Sequence, residues 1–201
     1  GLIDWLRERL VAENMIAPHA YRPDDIVRTY SGKTVEIFST DAEGRLVLAD
    51  ALWYTATIFK PAAMVDLATL TYSISAGLGQ VYAGLFATDD TLAKDLLAAA
   101  TAEDERLWRM PLHPAYDDNL KSPIADVRQV APDEAHGDAP HAAQFLARFT
   151  AGRPWAHLDI AGVDLLPEDS ALGPKGASGF GVRLLDRFAA TRERRLARMR
   201  R

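Results

Sequence analysis

The spacing of apolar residues along the chain predicts helices and strands that follow one another. Apolar stripes with polar opposite faces predict helices at residues 1–10, 46–59, 89–102, 142–149 and 181–201. Short apolar or β-branched runs predict strands at residues 34–38, 64–70 and 155–161. Proline, glycine and polar residues predict loops at residues 18–23, 108–140 and 166–179. Strands separated by helices predict one α/β domain over residues 1–201, a three-layer α/β/α arrangement with a mixed, largely parallel central sheet.

One stretch, residues 67–88, contains no charged side chain and has the length of a membrane span. Its glycines and hydroxyl-bearing residues are unfavourable in a lipid-facing helix. The stretch is therefore predicted to be a buried strand followed by a packed turn, and no membrane association is expected. The start of the chain, at Gly1, shows no charged-then-apolar leader that would predict a signal peptide.

The composition is typical of a folded domain. Hydrophobic residues make up 48% and charged residues 25% of the 201 residues, which argues against a disordered chain. The chain has no cysteine, which excludes a disulfide scaffold, thiolate metal ligands and a cysteine nucleophile. Any metal would be bound by carboxylate, imidazole, amine or carbonyl groups.

The charge is unevenly distributed. Residues 191–201 hold six arginines and one glutamate, whereas the whole chain has a net charge of -5. The rest of the chain is therefore acidic, and nucleic-acid binding is not the expected function. The basic end is predicted to be a solvated helix end with Leu196 and Met199 facing inward, and phosphate contact through it is the weaker alternative.

The densest chemical signal is the run STDAEGR at residues 39–45, between a predicted strand and a predicted helix. On an extended segment, the carboxylates of Asp41 and Glu43 point to the same side and could bind one or two cations. Arg45 falls at the positive end of the following helix, where an arginine is favoured only beside an anion. The alternative is structural, because Thr40 and Glu43 also have the spacing of a capping box.

The run STDAEGRLVLADAL at residues 39–52 resembles the signature of the leucyl aminopeptidases, a family of two-metal peptidases; the family has asparagine where Ser39 stands. Further matches follow in the same order: AENM (12–15), YRP (21–23), DLATLT (66–71), WRMP (108–111), ADV (125–127), WAHLDIAG (155–162) and KGASGFGVR (175–183). The resemblance extends from about Val11 to Phe188, which is most of the chain.

The resemblance implies a metal-dependent aminopeptidase that releases N-terminal amino acids, leucine above all, from peptide substrates. It implies that Asp41 binds one of two divalent cations (Mn²⁺, Zn²⁺ or Mg²⁺) and that Glu43 bridges both. It implies that Arg45 is catalytic and holds the anion that accompanies the reaction. Two such cations polarise the scissile carbonyl and activate a bridging water. A cytoplasmic protein that forms a homo-oligomer, the hexamer of the family, is also implied.

The resemblance places five residues at substrate-binding positions: Thr69, Leu70, Tyr72, Ala161 and Asp164. Tyr72 stands where the family has glycine, and its ring is expected to fill space that a substrate needs. Asp164 stands where an apolar residue is usual, which would favour basic side chains over leucine. Residues 137–141 also replace a helix start that is rich in glycine and alanine in the family.

The other ligands of the family, a lysine and two aspartates, and a second catalytic lysine come from segments upstream of the matched part. The lysines of this chain lie in none of the corresponding contexts, so two of the five ligand residues are present. A strand that precedes the match in the family is also expected to be missing, which would leave the domain incomplete on its N-terminal side. The alternative function is a catalytically inactive, truncated or degenerate relative that acts as a structural or binding subunit.

The histidines offer another possible metal site. His136 and His141 flank a loop that contains proline, and His157 alternates with Asp159 on the apolar strand predicted at residues 155–161. Buried polar groups are usually hydrogen-bonded, so His157 and Asp159 are predicted to be a hydrogen-bonded polar pair in the core rather than metal ligands.

Overall fold

The computed structural model describes residues 19–171 and 173–199, without the side chains of Glu134, Leu196 and Met199. The helix predicted at residues 1–10, the match at residues 12–15 and the inward orientation of Leu196 and Met199 lie outside this description. The helices are α1 (Glu43–Tyr54), α2 (Tyr72–Leu78), α3 (Asp90–Glu103), α4 (Pro114–Asp118), α5 (Asp138–Ala147) and α6 (Val182–Met199). Short 3-10 turns lie at Thr40–Ala42 and Asp133–Ala135, and a π-helical turn at Thr55–Phe59 continues α1.

The strands form three sheets in the described part of the chain. They are β1 (Ile26–Arg28), β2 (Thr34–Glu36), β3 (Met64–Ala68), β4 (Ala83–Ala87), β5 (Leu107–Arg109), β6 (Val127–Arg128), β7 (Trp155–Asp159), β8 (Leu165–Leu166) and β9 (Gly176–Ala177). The largest sheet has the order β3-β7-β4-β5; β7 runs parallel to β3 and antiparallel to β4, and β4 runs parallel to β5. A second sheet pairs β2 antiparallel with β1 and parallel with β6, and β8 pairs with β9. The predicted α/β class with a mixed, largely parallel sheet is confirmed.

The central strands β7 and β4 are buried along their whole length. Successive side chains of a strand point to opposite faces. Accordingly, Phe86 joins an apolar cluster with Phe145 and Trp155, whereas its neighbour Leu85 joins a second cluster with Leu92. Burial on both faces explains why β4 appears in the sequence as a continuous apolar run and why the two polar residues of β7, His157 and Asp159, need partners inside the protein.

Helix α6 packs along α3 through ion pairs as well as apolar contacts. Arg187 pairs with Glu103 at 2.6 Å, and Arg195 pairs with Asp95 at 3.0 Å. Part of the positive charge near the end of the chain is therefore matched by acidic residues of α3. Asp89 caps α3, since its Oδ1 accepts a hydrogen bond from Leu92 N at 2.7 Å.

The uncharged stretch of residues 67–88 has more structure than the predicted strand and turn, because α2 and β4 also lie there. Glycine and serine lower the helix propensity of α2, which is only seven residues long. Tertiary packing stabilises it instead, through the buried side chain of Ile74. None of the described helices is long and apolar enough to cross a membrane.

Gly162, which follows β7, gives a test of this packing. A Cβ atom at Gly162 would overlap the carbonyl oxygen of Gly79, at the end of α2, and lie 3.3 Å from Ser75 Cβ. Gly162→Ala should therefore lower the free energy of unfolding by about 1–3 kcal/mol. Gly77→Ala is the matched control, because nothing lies within 4 Å of its added Cβ and it should stabilise α2 by about 0.5–1 kcal/mol. Urea denaturation measures both, and a Gly162→Ala variant as stable as the wild type would contradict the packing described.

Candidate functional site

The carboxylate run predicted from the sequence forms the entrance to α1. Thr40–Ala42 is a 3-10 turn whose N-cap, Ser39, accepts a hydrogen bond from Asp41 N on its Oγ at 3.3 Å. Helix α1 begins at Glu43, not at residue 46. The expected extended segment is therefore wrong, and Asp41 and Glu43 do not share a face by strand alternation. Asp41 is exposed and Glu43 is half-buried.

The capping-box alternative is also wrong. The N-cap of α1 is Ala42, and no side chain caps the helix there. The 3-10 turn moves the N-cap of α1 from Thr40 to Ala42, so Thr40 lies inside that turn rather than at the cap. Glu43 still benefits from its position, because the first turn of a helix favours negative charge.

Arg45 is buried, with 2% of its surface exposed, and the anion beside it is a carboxylate of the same chain. Its Nη2 donates to both carboxylate oxygens of Asp138, at 2.9 and 3.0 Å, and its Nη1 donates to the carbonyl oxygen of Gln129 at 3.0 Å. Asp138 lies in the first turn of α5, where the helix dipole also favours a negative charge. This partner could not be predicted from the sequence, because nothing local connects residues so far apart in the chain.

Gln129, which directly follows β6, is completely buried and contacts the 3-10 turn Thr40–Ala42. Its Oε1 accepts hydrogen bonds from Phe38 N at 3.1 Å and Ser39 N at 3.0 Å. Its Nε2 donates to the carbonyl oxygen of Ala42 at 3.1 Å. Gln129 could not be predicted from the sequence, since a lone glutamine in a predicted loop carries no motif.

Asp159, the last residue of β7, holds the loop that follows β3. Its Oδ1 accepts hydrogen bonds from Leu70 N at 3.1 Å and Ala161 N at 3.3 Å, and its Oδ2 accepts from Thr71 Oγ1 at 2.7 Å. Burial raises the pKa of Asp159, and the charge of His157 and these hydrogen bonds oppose that shift only in part. Two of the predicted substrate residues, Leu70 and Ala161, are thus brought to one carboxylate.

The loop after β3 also packs against the start of α1. An added Cβ at Gly44 would lie 3.3 Å from Leu70 Cδ1, so the Leu70 side chain rests on the first turn of α1. Ser73 Oγ donates to Thr71 Oγ1 at 3.3 Å and accepts from Ala139 N at 2.7 Å, which joins α2 to α5. The structure therefore brings Leu70 together with the turn that carries the carboxylates.

The other predicted substrate residues are placed differently. Tyr72 begins α2 and is 88% exposed, so its ring projects into solvent rather than filling a space between described residues. Thr69 is exposed as well, and Asp164 is half-buried. The carbonyl oxygen of Asp164 accepts a hydrogen bond from Ser178 N at 2.8 Å, which ties it to the segment before α6.

His157 and Asp159 are buried and hydrogen-bonded, as predicted, but not to each other. His157 stands directly opposite Asp66 in the parallel ladder of β7 and β3. Its Nδ1 lies 2.6 Å from Asp66 Oδ1, and Asp66 Oδ2 accepts from Trp155 Nε1 at 2.6 Å. The partner is set by strand register, which the sequence does not show.

Asp41 and Glu43 are the type of ligand that divalent cations bind, since both offer carboxylate oxygens. In the described residues, however, no group of three or more His, Cys, Asp or Glu side chains could hold a metal ion. The two carboxylates fit as part of a ligand set, and the described residues do not complete a two-metal centre.

A family model and several curated proteins match most of this chain. A sequence model described as "Cytosol aminopeptidase family, catalytic domain" matches residues 9–186. A probable cytosol aminopeptidase of Ehrlichia ruminantium (strain Gardel) is 51% identical over 181 residues, which are 90% of this chain and 36% of that protein. One from Bradyrhizobium sp. (strain BTAi1) is 53% identical over 178 residues, covering 89% of this chain and 35% of that protein. The chain spans about a third of the length of these curated relatives.

The pair of Arg45 and Asp138 gives a first prediction for the site. Removing the carboxylate leaves a buried guanidinium without its charge partner. Because Asp138 is partly exposed, Asp138→Ala should lower the free energy of unfolding by about 1–3 kcal/mol. The same substitution made in an Arg45→Met background should cost much less, and Asp133→Ala serves as an exposed control. Equal costs of Asp138→Ala in both backgrounds, measured by urea denaturation, would show that the pair contributes nothing.

The raised pKa of Asp159 gives a second prediction. The folded state holds the Asp159 proton more tightly than the unfolded state does, so this residue contributes most stability below its ordinary pKa. That contribution is lost as the pH rises through the raised pKa. The unfolding free energy of the wild type minus that of Asp159→Asn should therefore fall as the pH rises from the ordinary pKa of an aspartate through the raised pKa of Asp159.

A control for this prediction is Asp126→Asn, which should show the opposite trend. Hydrogen bonds from Thr34 lower the pKa of Asp126, so its contribution is lost as the pH falls. Urea denaturation across a pH series measures both comparisons. Identical pH slopes for the wild type and Asp159→Asn would contradict the burial effect.

Proposed function

This chain belongs to the cytosol aminopeptidase family, and from that membership we propose that it supplies part of the active site of a metal-dependent aminopeptidase. The observation that carries the proposal is the position of Asp41 and Glu43. Both lie at the entrance of α1, beside the loop after β3, inside the region that matches the family. The substrate is a peptide with a free N-terminus, from which the whole protein releases the first amino acid.

Asp41 and Glu43 would hold divalent cations, with Mn²⁺, Zn²⁺ or Mg²⁺ as the candidates. Bound cations supply polarisation of the scissile carbonyl and activation of a water molecule. Asp41 is exposed and can meet an ion and a substrate from solvent. Glu43 lies near Tyr21, whose pKa is raised by burial and then by the Glu43 charge, so the phenol stays protonated beside the carboxylate.

Arg45 would act as a fixed positive charge behind these carboxylates. Its guanidinium is buried and donates to Asp138 and to the carbonyl oxygen of Gln129. The charge therefore stays in one place while the site binds and releases ligands. Preorganised charges of this kind stabilise developing negative charge without reorganising during the reaction.

The pocket for the first substrate residue would be lined by Thr69, Leu70, Tyr72 and Ala161. Asp159 fixes the amides of Leu70 and Ala161, which holds both walls at a constant separation. The exposed phenol of Tyr72 would lie at the entrance of this pocket rather than inside it. Asp164 would reduce the preference for leucine and favour basic side chains. From family membership alone we further propose a cytoplasmic homo-oligomer, the hexamer.

A catalytically inactive relative that serves as a structural or binding subunit is the second candidate. Two observations favour it. The described residues hold no cluster of three or more metal-binding side chains. In addition, Asp138 already neutralises Arg45. Such a subunit would keep the fold of the site without binding two cations tightly.

The proposed activity predicts the effect of removing the carboxylates. In the intact gene product, Asp41→Asn and Glu43→Gln should each lower kcat/KM by at least about 100-fold, because a lost metal ligand weakens the site more than a lost outer partner does. Release of leucine from leucyl p-nitroanilide with Mn²⁺ or Zn²⁺ measures the effect. Asp186→Asn, an exposed change on α6, should leave the activity unchanged. A folded intact protein that releases no amino acid from any peptide would favour the inactive subunit instead.

A further inference from the structure

Gln129 follows β6 and lies where the sheet of β1, β2 and β6 ends, next to the turn after β2 that carries Asp41. The ladder between β2 and β6 ends with Glu36 opposite Arg128, and Gln129 N adds one more hydrogen bond to Glu36 O at 2.9 Å. The chain then leaves the sheet. From that point the side chain of Gln129, rather than a neighbouring strand, pairs with the backbone of Phe38 and Ser39.

The carboxamide of Gln129 replaces a peptide group of a missing strand neighbour. Its Oε1 accepts from two successive amides, as a carbonyl oxygen does, and its Nε2 donates to Ala42 O. These contacts bracket the 3-10 turn Thr40–Ala42 from both ends. Asp41 lies between them, so its position is defined relative to Gln129.

The main chain of Gln129 extends this control to α1. Its carbonyl oxygen accepts from Arg45 Nη1 at 3.0 Å, which fixes the first turn of the helix that begins with Glu43. One residue therefore contacts both the turn that carries Asp41 and the helical turn that carries Glu43. Gln129 itself is completely buried and cannot touch a substrate.

We infer that Gln129 is the positioning residue of the candidate metal site, one that sets the separation and direction of the Asp41 and Glu43 carboxylates. This inference rests on the proposed function, since it assigns those carboxylates to a cation. It adds a residue that acts through the backbone of the site rather than through a ligand atom.

The test compares two glutamine-to-methionine variants of the full chain. Methionine has nearly the length of glutamine but cannot make these hydrogen bonds, so Gln129→Met removes the contacts and keeps the packing. Gln144→Met, in α5, is the matched control, because Gln144 Oε1 is also buried but has no hydrogen-bond partner among the described residues. Gln129→Asn, which keeps the amide on a shorter side chain, is the second variant in case Gln129→Met does not fold.

Two measurements decide the result. Amide hydrogen exchange at Phe38 and Ser39 should be at least about 10-fold faster in Gln129→Met than in Gln144→Met, because both amides lose their acceptor. The affinity for Mn²⁺, followed by electron paramagnetic resonance of the free ion, should fall by about 10-fold in Gln129→Met and stay constant in Gln144→Met. Gln129→Asn should lie between the wild type and Gln129→Met in both measurements.

The outcomes separate this inference from the proposed function. Unchanged exchange at Phe38 and Ser39 in a folded Gln129 variant overturns the positioning role, and so does unchanged Mn²⁺ affinity where the wild type binds the ion. A wild-type chain that binds no Mn²⁺ counts against the proposed metal ligands. In that case, faster amide exchange at Asp41 and Glu43 in Gln129→Met supports Gln129 as the residue that fixes the turn. Faster amide exchange only in other segments of Gln129→Met refutes that role.

Discussion

The buried charge of Arg45 joins three parts of the fold at the candidate site: α1, α5 and the segment after β6. A guanidinium removed from water is tolerated only with a charge partner and hydrogen-bond acceptors. Asp138 supplies the partner from α5, and the segment after β6 supplies the carbonyl oxygen of Gln129. The first turn of α1 is therefore fixed against two elements that come much later in the chain. Glu43 lies in that turn, so its place follows from the same constraint.

The same rule governs the interior of the four-stranded sheet. All five residues of β7 are buried, so its two polar side chains must find partners inside the protein. Strand register gives His157 the carboxylate of Asp66. Asp159, at the end of the strand, reaches the backbone of Leu70 instead. Satisfying a buried carboxylate thereby fixes the loop that packs on α1, and this links the sheet to the candidate site.

Local signals predicted the elements whose causes are local. The acidic start of α3 and the apolar run of β7 were recognised because capping and burial on both faces leave clear patterns. Helix α2 was missed, since its glycines and serines have low helix propensity and packing of Ile74 stabilises it. At the site, Asp41 and Glu43 were singled out from their spacing, but Gln129 and Asp138 were not. Their partners lie more than 80 residues away in the chain, and only the fold brings them together.

Around the candidate site, Asp41 is exposed, whereas the polar side chains of Arg45, Gln129 and Asp159 are buried at a cost in desolvation free energy. Under the proposed function, a cation ligand must reach solvent, as the exposed Asp41 does, whereas the residues that position it make stronger hydrogen bonds where water cannot compete. Arg45, Gln129 and Asp159 are all buried, and each requires several partners. Apolar residues of similar volume would often give equal or greater stability at such positions. Stability alone therefore does not account for Arg45 and Gln129 at the turn that carries the carboxylates, or for Asp159 at the neighbouring loop. The proposed cation ligands Asp41 and Glu43 would require such fixed positions.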